Sequence, residues 1–181
     1  MKLIKPLFFL IKNFLRIPID FIKKNKIHKT TRISSNTKLV KCLIGKYCYI
    51  ANNVNMVNAT IGNYVSIAPG VQIGGMEHSY WWYSTSTFLS DQNISNQQTI
   101  IEDDVWIGAG SIIKQGVRIG RGAVIGAMSF VNKDVPDYTI TFGVPAKTFK
   151  DRFNEELKLK VINSKFWIHK PIKAREILNK L

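Results

Sequence analysis

The fold is decided by residues 101–136, which read IEDDVWIGAGSIIKQGVRIGRGAVIGAMSFVNKDVP. An aliphatic residue, called an anchor below, returns at every sixth position: Ile101, Ile107, Ile113, Ile119, Ile125 and Val131. Neither an α-helix nor a flat strand has this period, because their side chains return to one face every 3.6 and two residues. A period of six is typical of a parallel β-helix built from hexapeptide units.

A second series of positions supports a coil with three sides and one hexapeptide on each side. The residue four places after each anchor is small or β-branched: Val105, Ser111, Val117, Ala123, Ser129 and Val135. Both series are expected to point inward, with the small residue filling the narrow corner. Gly108, Gly120 and Gly126 directly follow anchors, and we expect them to let the chain turn.

Three sides make a coil of about 18 residues, so the anchors should stack one coil apart. The predicted pairs are Ile101 with Ile119, Ile107 with Ile125, and Ile113 with Val131. The same spacing occurs earlier at Ile44, Ile50 and Met56 and, after a five-residue step, at Ile61, Ile67 and Ile73. These anchors predict about four coils and a prism roughly 19 Å tall. Ile33 and Leu39 are candidates for a further, irregular coil.

Length, composition and charge limit the number of domains and the kinds of partner that the chain can have. The 181 residues, 45% of them hydrophobic, fit one domain with terminal elaborations. The net charge of +14 is concentrated at the two ends of the sequence, and residues 51–130 hold three Lys or Arg against five acids. A groove for duplex nucleic acid would need a basic face along the whole fold, so we expect no nucleic-acid partner. Cys42 and Cys48 lack disulfide or zinc spacing, which favours a reducing cytosol.

Residues 1–32 are predicted to be a basic amphipathic segment that precedes a β-helix domain at 33–150. Its longest charge-free stretch, Pro6 to Ile11, is far shorter than the roughly 20 residues of a membrane span. No small-residue cleavage site follows, so a signal peptide is not expected. Two interpretations remain open: residues 1–30 lie on an anionic membrane surface, or they pack on the prism or a neighbouring subunit.

The hexapeptides stop at an inserted loop, predicted at 75–99. The loop carries one histidine, His78, four consecutive aromatic residues and a run of hydroxyls. His78 ends a regular hexapeptide, so we expect the prism to hold its backbone, and an imidazole so placed suits a general base. A structural role for this histidine, and core packing or a subunit contact for the aromatics, are the alternatives. With three histidines in the chain, a zinc site that needs several of them is not expected.

Several motifs resemble hexapeptide-repeat acyltransferases. They are the hexapeptide series itself, the loop with Ser84-Thr85 and Phe88 after His78, Asp104-Val105-Trp106-Ile107-Gly108, and Gly143-Val144-Pro145-Ala146-Lys147. The segment from Lys150 to Glu156, with Phe166-Trp167 later, is similar to the xenobiotic acetyltransferase branch, which includes sugar and polysaccharide O-acetyltransferases. The resemblance covers about residues 33–181. It implies an all-β, left-handed parallel β-helix that forms a homotrimer, with acetyl-CoA as co-substrate between adjacent prisms and no metal.

The resemblance also implies roles for individual residues. His78 matches the catalytic base. The positions that match contacts to acetyl-CoA are Trp106, Ala109, Ala127, Asn132, Lys133, Lys147 and Lys150. Ala109 and Ala127 should lie one coil apart along a single extended pantetheine arm. The positions expected to bind the acceptor are Asn52, Trp81, Trp82, Tyr83 and Ser84. Val144 and Asn132 depart from the usual Asn and Thr, which weakens one expected contact each.

Residues 151–181 change to helical periodicity and are predicted to form a helical cap that closes the end of the coil, with a role in covering CoA as the alternative. The function expected is an acetyl-CoA-dependent O-acetyltransferase that modifies a sugar hydroxyl of a bacterial surface polysaccharide or its precursor. Acetylation of an antibiotic of the chloramphenicol or streptogramin type, N-acetylation of a nucleotide-linked amino sugar, and a silent trimeric scaffold are the alternatives. The expected location is the cytoplasm, with a peripheral position on the inner face of the membrane left open.

Overall fold

The computed structural model describes residues 24–90 and 96–181, and within them the chain forms a three-sided parallel β-helix. The strands are short because each side of the coil is one hexapeptide long. Their bounds are β1 Lys26–Ile27, β2 Arg32–Ile33, β3 Lys38–Val40, β4 Leu43–Ile44, β5 Tyr49–Ile50, β6 Asn55–Val57, β7 Ala59–Ile61, β8 Ser66–Ile67, β9 Gln72–Gly74, β10 Thr99–Ile101, β11 Trp106–Ile107, β12 Ile112–Ile113, β13 Arg118–Ile119, β14 Val124–Ile125, β15 Phe130–Val131, β16 Thr139–Gly143 and β17 Ala146–Asp151.

Every third strand belongs to the same side of the prism. Sheet A contains β1, β4, β7, β10 and β13, sheet C contains β3, β6, β9, β12 and β15, and sheet B contains β2, β5, β8, β11, β14, β16 and β17. Consecutive sets of three strands are called coils 1 to 5 below, and the corners are named by the sheets they join. β16 and β17 form an antiparallel pair that extends sheet B beyond coil 5.

The stacking predicted from the period is confirmed. Ile101 pairs with Ile119, Ile107 with Ile125, and Ile113 with Val131, each in parallel register. All of the anchors from Ile44 to Val131 are buried, as are the small residues four places after those of the 101–131 series. A fully buried Ile contributes about 1.5–3 kcal/mol, so the inner column accounts for much of the driving force for folding.

The β-helix begins earlier than predicted. β1 and β2 pair with β4 and β5, so coil 1 starts at Lys26 rather than at residue 33. The described residues form five coils: the four predicted, and the further coil for which Ile33 and Leu39 were candidates. Ile27 is the missing anchor, six residues before Ile33, but it lies among lysines and polar residues that obscured the period. Residues 1–23 lie outside the described residues, and the amphipathic segment expected there stays a prediction.

The expected role of the glycines after the anchors was wrong. The backbone turns two residues later, where Gly110 and Gly122 adopt φ of 68° and 65°. Gly108 is required for a different reason, because a Cβ placed there would lie 2.5 Å from the backbone nitrogen of Ala127 in the next coil. Overlap of that kind would force neighbouring coils apart.

The C-terminal helices are present as expected, but their buried contacts are with the side of the prism. They are α1 Glu155–Ser164, a 3-10 turn Phe166–Ile168, and α2 Pro171–Leu178. Phe166 packs against Tyr64 of coil 3, with ring centroids 6.2 Å apart, and the Arg121 guanidinium of coil 5 lies 4.3 Å from the Trp167 ring. The helical segment therefore runs back along the A–B corner. The core is instead contacted by Ala146 of β17, the strand beyond coil 5. No helix among the described residues is long and apolar enough to cross a membrane.

Candidate active site

His78 lies in the loop that interrupts the C–A corner, and the coil does not hold it directly. β9 ends at Gly74, and the chain leaves the lattice through Gly74 and Gly75, both with positive φ. The expectation that the prism fixes the His78 backbone was therefore wrong, because the chain departs four residues earlier. The His78 side chain is solvent-exposed.

A carbonyl from within the loop holds the His78 ring. Its Nδ1 lies 2.6 Å from the backbone oxygen of Thr85. A carbonyl oxygen can only accept a hydrogen bond, so Nδ1 is the donor, and in the neutral ring Nε2 then holds the lone pair. This is the tautomer that a general base needs. The pattern of residue types did not reveal Thr85 as the partner, because every residue has a backbone carbonyl.

Two further contacts define the loop around His78. Glu77 forms an ion pair with Lys114 of coil 4 at 3.1 Å, which ties the loop to the prism and leaves Glu77 in no position to orient the imidazole. Ser79 is buried, and its hydroxyl lies 2.7 Å from that of Ser90 on the returning arm of the loop. The first contact joins the loop to the prism, and the second joins two parts of the loop, one of them next to His78 in the sequence.

The aromatic residues predicted to bind the acceptor, called the aromatic wall below, lie on the same loop as His78 and are exposed or half-buried. Tyr83 is 99% exposed and Trp81 is 56% exposed, while Trp82 and Ser84 are half-buried. The rings of Trp82 and Tyr83 stack in a tilted pair with centroids 5.7 Å apart. They lie outside the hydrophobic core, which removes core packing as their role. Exposed aromatic rings on a loop are suited to binding a flat ligand or to contact with a neighbouring chain.

Three of the predicted binding positions lie on one ridge of the prism, the B–C corner. Ala109 and Ala127 are exposed in successive coils, and the Met128 amide donates to the Ala109 carbonyl at 2.8 Å. Asn52 lies at the same corner, two coils before Ala109. Gly70 occupies this corner in the coil between them, and its amide donates to the Asn52 carbonyl. The ridge therefore has the one-coil spacing expected for an extended ligand.

Trp106 lies next to this ridge on the outer face of sheet B and is 54% exposed. It borders a cleft of about 380 Å³ lined by Tyr64, Ser66, Asp104, Val105, Trp106, Val124 and Arg152. Burial raises the pKa of the Asp104 carboxyl above its usual value, and the nearby Arg152 guanidinium, 3.5 Å away, partly opposes that rise.

The predicted phosphate-binding cations do not form one cluster within a single chain. Asn132 and Lys133 lie at the C–A corner, beside a cleft of about 350 Å³ that Glu77, Lys114 and Gln115 also line. Lys147 and Lys150 are exposed on β17, at the edge of sheet B. Arg152 is turned inward, where its guanidinium donates to the Gly122 carbonyl and pairs with Asp104, so it is not available to a phosphate.

The two halves of the predicted site therefore lie at different corners of one prism. His78 and the aromatic wall are at the C–A corner, whereas Ala109 and Ala127 are at the B–C corner, with sheet C between them. Residues 24–90 and 96–181 contain no group of three or more His, Cys, Asp or Glu side chains arranged to hold a metal ion.

The fold and this arrangement define a hexapeptide β-helix with an inserted, histidine-bearing loop, and comparisons with known proteins agree. Residues 98–133 match the bacterial transferase hexapeptide (six repeats) model. A hexapeptide-repeat acetyltransferase of Vibrio cholerae O1 biovar eltor, solved with acetyl coenzyme A, is 32% identical with a TM-score of 0.64, over 72% of each chain. The chain belongs to the hexapeptide-repeat acetyltransferase family.

Curated relatives are similar over shorter regions. A chloramphenicol acetyltransferase of Agrobacterium fabrum is 36% identical over 108 residues, which is 54% of this chain and 52% of the relative. A galactoside O-acetyltransferase of Lactococcus lactis is 54% identical over 50 residues, 28% of this chain and 24% of the relative. The chain thus spans about half the length, or less, of these curated relatives.

Proposed function

We propose that the protein is an acetyl-CoA-dependent O-acetyltransferase that acts in the cytoplasm on a sugar hydroxyl of a bacterial surface polysaccharide or its precursor. The observation that carries the proposal is the 2.6 Å contact between His78 Nδ1 and the Thr85 carbonyl. In the neutral ring it places the proton on Nδ1 and the lone pair on Nε2, which is the tautomer required to accept a proton from a hydroxyl. Membership of the family supports acetyl-CoA as the donor.

The proposed reaction is direct transfer between two bound substrates. His78 Nε2 takes the hydroxyl proton while the acceptor oxygen attacks the thioester carbonyl. The C–S bond of the tetrahedral intermediate then breaks, and the proton passes to the departing CoA sulfur. Holding both substrates together supplies most of the rate advantage by proximity, so no covalent enzyme intermediate is needed.

The positions of the two half-sites support a trimer with shared active sites. In one chain sheet C separates His78 from the ridge that holds Ala109 and Ala127. A three-sided prism can form a closed three-fold assembly in which the C–A corner of one copy faces the B–C corner of the next. Such an assembly would bring the base and the cofactor ridge to one interface, three times.

The exposed ridge and the exposed lysines are suited to different parts of acetyl-CoA. Ala109 and Ala127 offer small side chains along an extended groove, and Trp106 offers an apolar wall beside it. Lys147 and Lys150 provide flexible cations that suit phosphates, and Asn132 and Lys133 would approach from the facing copy. The proposal thus assigns pantetheine to the ridge and the nucleotide phosphates to the lysines.

The aromatic wall supports a carbohydrate acceptor. Trp81, Trp82 and Tyr83 present ring faces on the same loop as His78, and sugar rings have apolar faces that stack on aromatic side chains. Asn52, on the ridge, could donate to or accept from a sugar hydroxyl. The similarity to a galactoside O-acetyltransferase favours the same chemistry. The similarity to chloramphenicol acetyltransferases favours an antibiotic hydroxyl as the second candidate.

The catalytic part of the proposal is tested by the variant His78→Ala. We expect kcat for CoA release to fall by about 10²–10⁴-fold with little change in KM for acetyl-CoA, because the imidazole acts on the acceptor proton. His169→Ala is the matched control, since the His169 carbonyl accepts from Tyr64 at the A–B corner, whereas the loop interrupts the C–A corner. Unchanged turnover in His78→Ala would refute the mechanism.

The acceptor is tested by measuring CoA release with three sets of compounds: galactosides and other glycans, nucleotide-linked amino sugars, and chloramphenicol with streptogramins. We expect turnover with the glycans. Trp81→Ala should raise KM for the glycan and leave KM for acetyl-CoA unchanged. Turnover confined to the antibiotics would replace the first candidate with the second.

A further inference from the structure

The charged side chains of the first two coils are all positive. The sequence contains no Asp or Glu from residue 21 to residue 76. Seven cationic side chains in this region are exposed, and we call them the collar: Lys24, Lys26, Lys29, Arg32, Lys38, Lys41 and Lys46. No ion pair joins any of them to another of the residues that the structure describes.

The collar encircles one end of the prism. Lys26 lies on sheet A, Arg32 on sheet B and Lys38 on sheet C. Lys29 and Lys46 occupy the A–B corner and Lys41 the C–A corner. The cations therefore form a ring around the coil axis rather than a stripe along it.

The charge changes towards the other end of the prism. In coils 4 and 5 the cations Arg118 and Arg121 are paired with carboxylates, Arg118 with Glu102 and Arg121 with Asp103. An extended polyanion such as a duplex would need an unbroken basic track along several coils, which these pairs interrupt. A ring of unpaired cations at one end is instead complementary to a plane of negative charge.

The segment that leads into the collar has the composition of a membrane-surface sequence. Residues 1–23 contain 13 Leu, Ile and Phe residues and five Lys or Arg against one Asp. Basic residues near an anionic bilayer each add to the attraction, and large apolar side chains can enter the interface. The charge of the collar and the composition of residues 1–23 thus favour the same partner.

We propose that the collar docks this end of the prism on an anionic lipid surface, with the coil axis directed away from the membrane. The loop leaves coil 3, so His78 would lie on the order of 10 Å above coil 1 along the axis. An acceptor carried on a lipid could present its sugar at that height. This last step rests on the proposed acetyl transfer, whereas docking does not.

The test compares the full-length chain with two charge-matched triple variants in co-sedimentation with vesicles. The collar variant is Lys26→Gln, Lys29→Gln and Lys38→Gln, and the control is Lys133→Gln, Lys147→Gln and Lys150→Gln at the other end of the prism. Vesicles of phosphatidylcholine alone are compared with vesicles that also contain phosphatidylglycerol. We expect the collar variant to lose about a hundredfold in affinity for the anionic vesicles, at about fivefold per cation, and the control to lose much less.

The outcomes separate docking from catalysis. Equal losses in the two variants would show a general effect of net charge and overturn the proposal, as would failure of the unaltered chain to bind anionic vesicles. Tighter binding to duplex DNA than to vesicles would also overturn it. His78→Ala should bind vesicles normally, and the collar variant should keep its turnover on a soluble acceptor, so each proposal can fail alone.

Discussion

Two inactive variants should restore activity to each other if the active site is shared between copies. His78→Ala removes the proposed base at the C–A corner, and Ala127→Trp fills the proposed cofactor ridge at the B–C corner. Ala127 is exposed, so the larger side chain blocks the ridge without entering the core. Each variant alone should be inactive in CoA release.

The size of the restored activity follows from the separation of the two corners. In trimers reassembled from equal amounts of both variants, an interface works when one copy supplies His78 and the next supplies Ala127. Each condition holds for half the copies, so about one quarter of wild-type activity should return. A site contained within one chain would give no recovery.

A second mixture provides the control and a sharper test. The double variant, His78→Ala with Ala127→Trp, is reassembled with equal wild-type protein. A shared site again requires two suitable neighbours and gives about one quarter of the activity, whereas a site within one chain gives about one half. CoA release is measured before and after subunit exchange. One half in this mixture, with no recovery in the first, would refute the shared site.

Three further predictions concern the scaffold. Gly108→Ala should lower the free energy of unfolding by about 1–3 kcal/mol in urea titration, because the added Cβ meets the Ala127 backbone at 2.5 Å. Tyr138→Phe should cost little, since the buried hydroxyl has no hydrogen-bond partner among the described residues. Burial raises the pKa of Tyr138 from 10.0 to about 12, so wild-type stability should fall as pH rises between those values and the variant should lack that contribution. Tyr64→Phe should lose about 1 kcal/mol, measured by thermal unfolding, because its hydroxyl donates to the His169 carbonyl at 2.7 Å.

The period predicted the core because a stacked coil repeats the same physical requirement every six residues. An inward position must be apolar in each coil, so Ile107 and Ile125 were identified, with their register, from spacing alone. In coil 1 the spacing identified Ile33 and Leu39 but not Ile27, which lies between Lys26 and His28. The prediction of anchors was most accurate in the fully buried coils and least accurate at the coil 1 end of the β-helix.

The contacts of the site were less accessible to sequence reasoning. The hydrogen bond from His78 to the Thr85 carbonyl depends on loop geometry. Its acceptor is a backbone oxygen, which every residue type has, so the sequence does not identify it. The helical period predicted helices over residues 151–181, but it gives no information on which surface of the prism receives them. The A–B corner receives the tail because Tyr64 and Tyr138 provide aromatic surface there.

The loop interrupts the sequence of hexapeptides without disturbing the stack. Gly74 pairs with Val57 and Thr99 pairs with Ala59, so the two ends of the insertion match the two residues on either side of Asn58. In the coil below, Asn58 alone joins those positions, whereas here residues 75–98 do. The strands on either side keep the register and burial that they would have with a short corner. Changes in the loop should therefore alter the acceptor without a large cost in the stability of the coil. If the loop selects the acceptor as proposed, a swap of residues 75–98 between relatives should transfer acceptor preference on an unchanged prism.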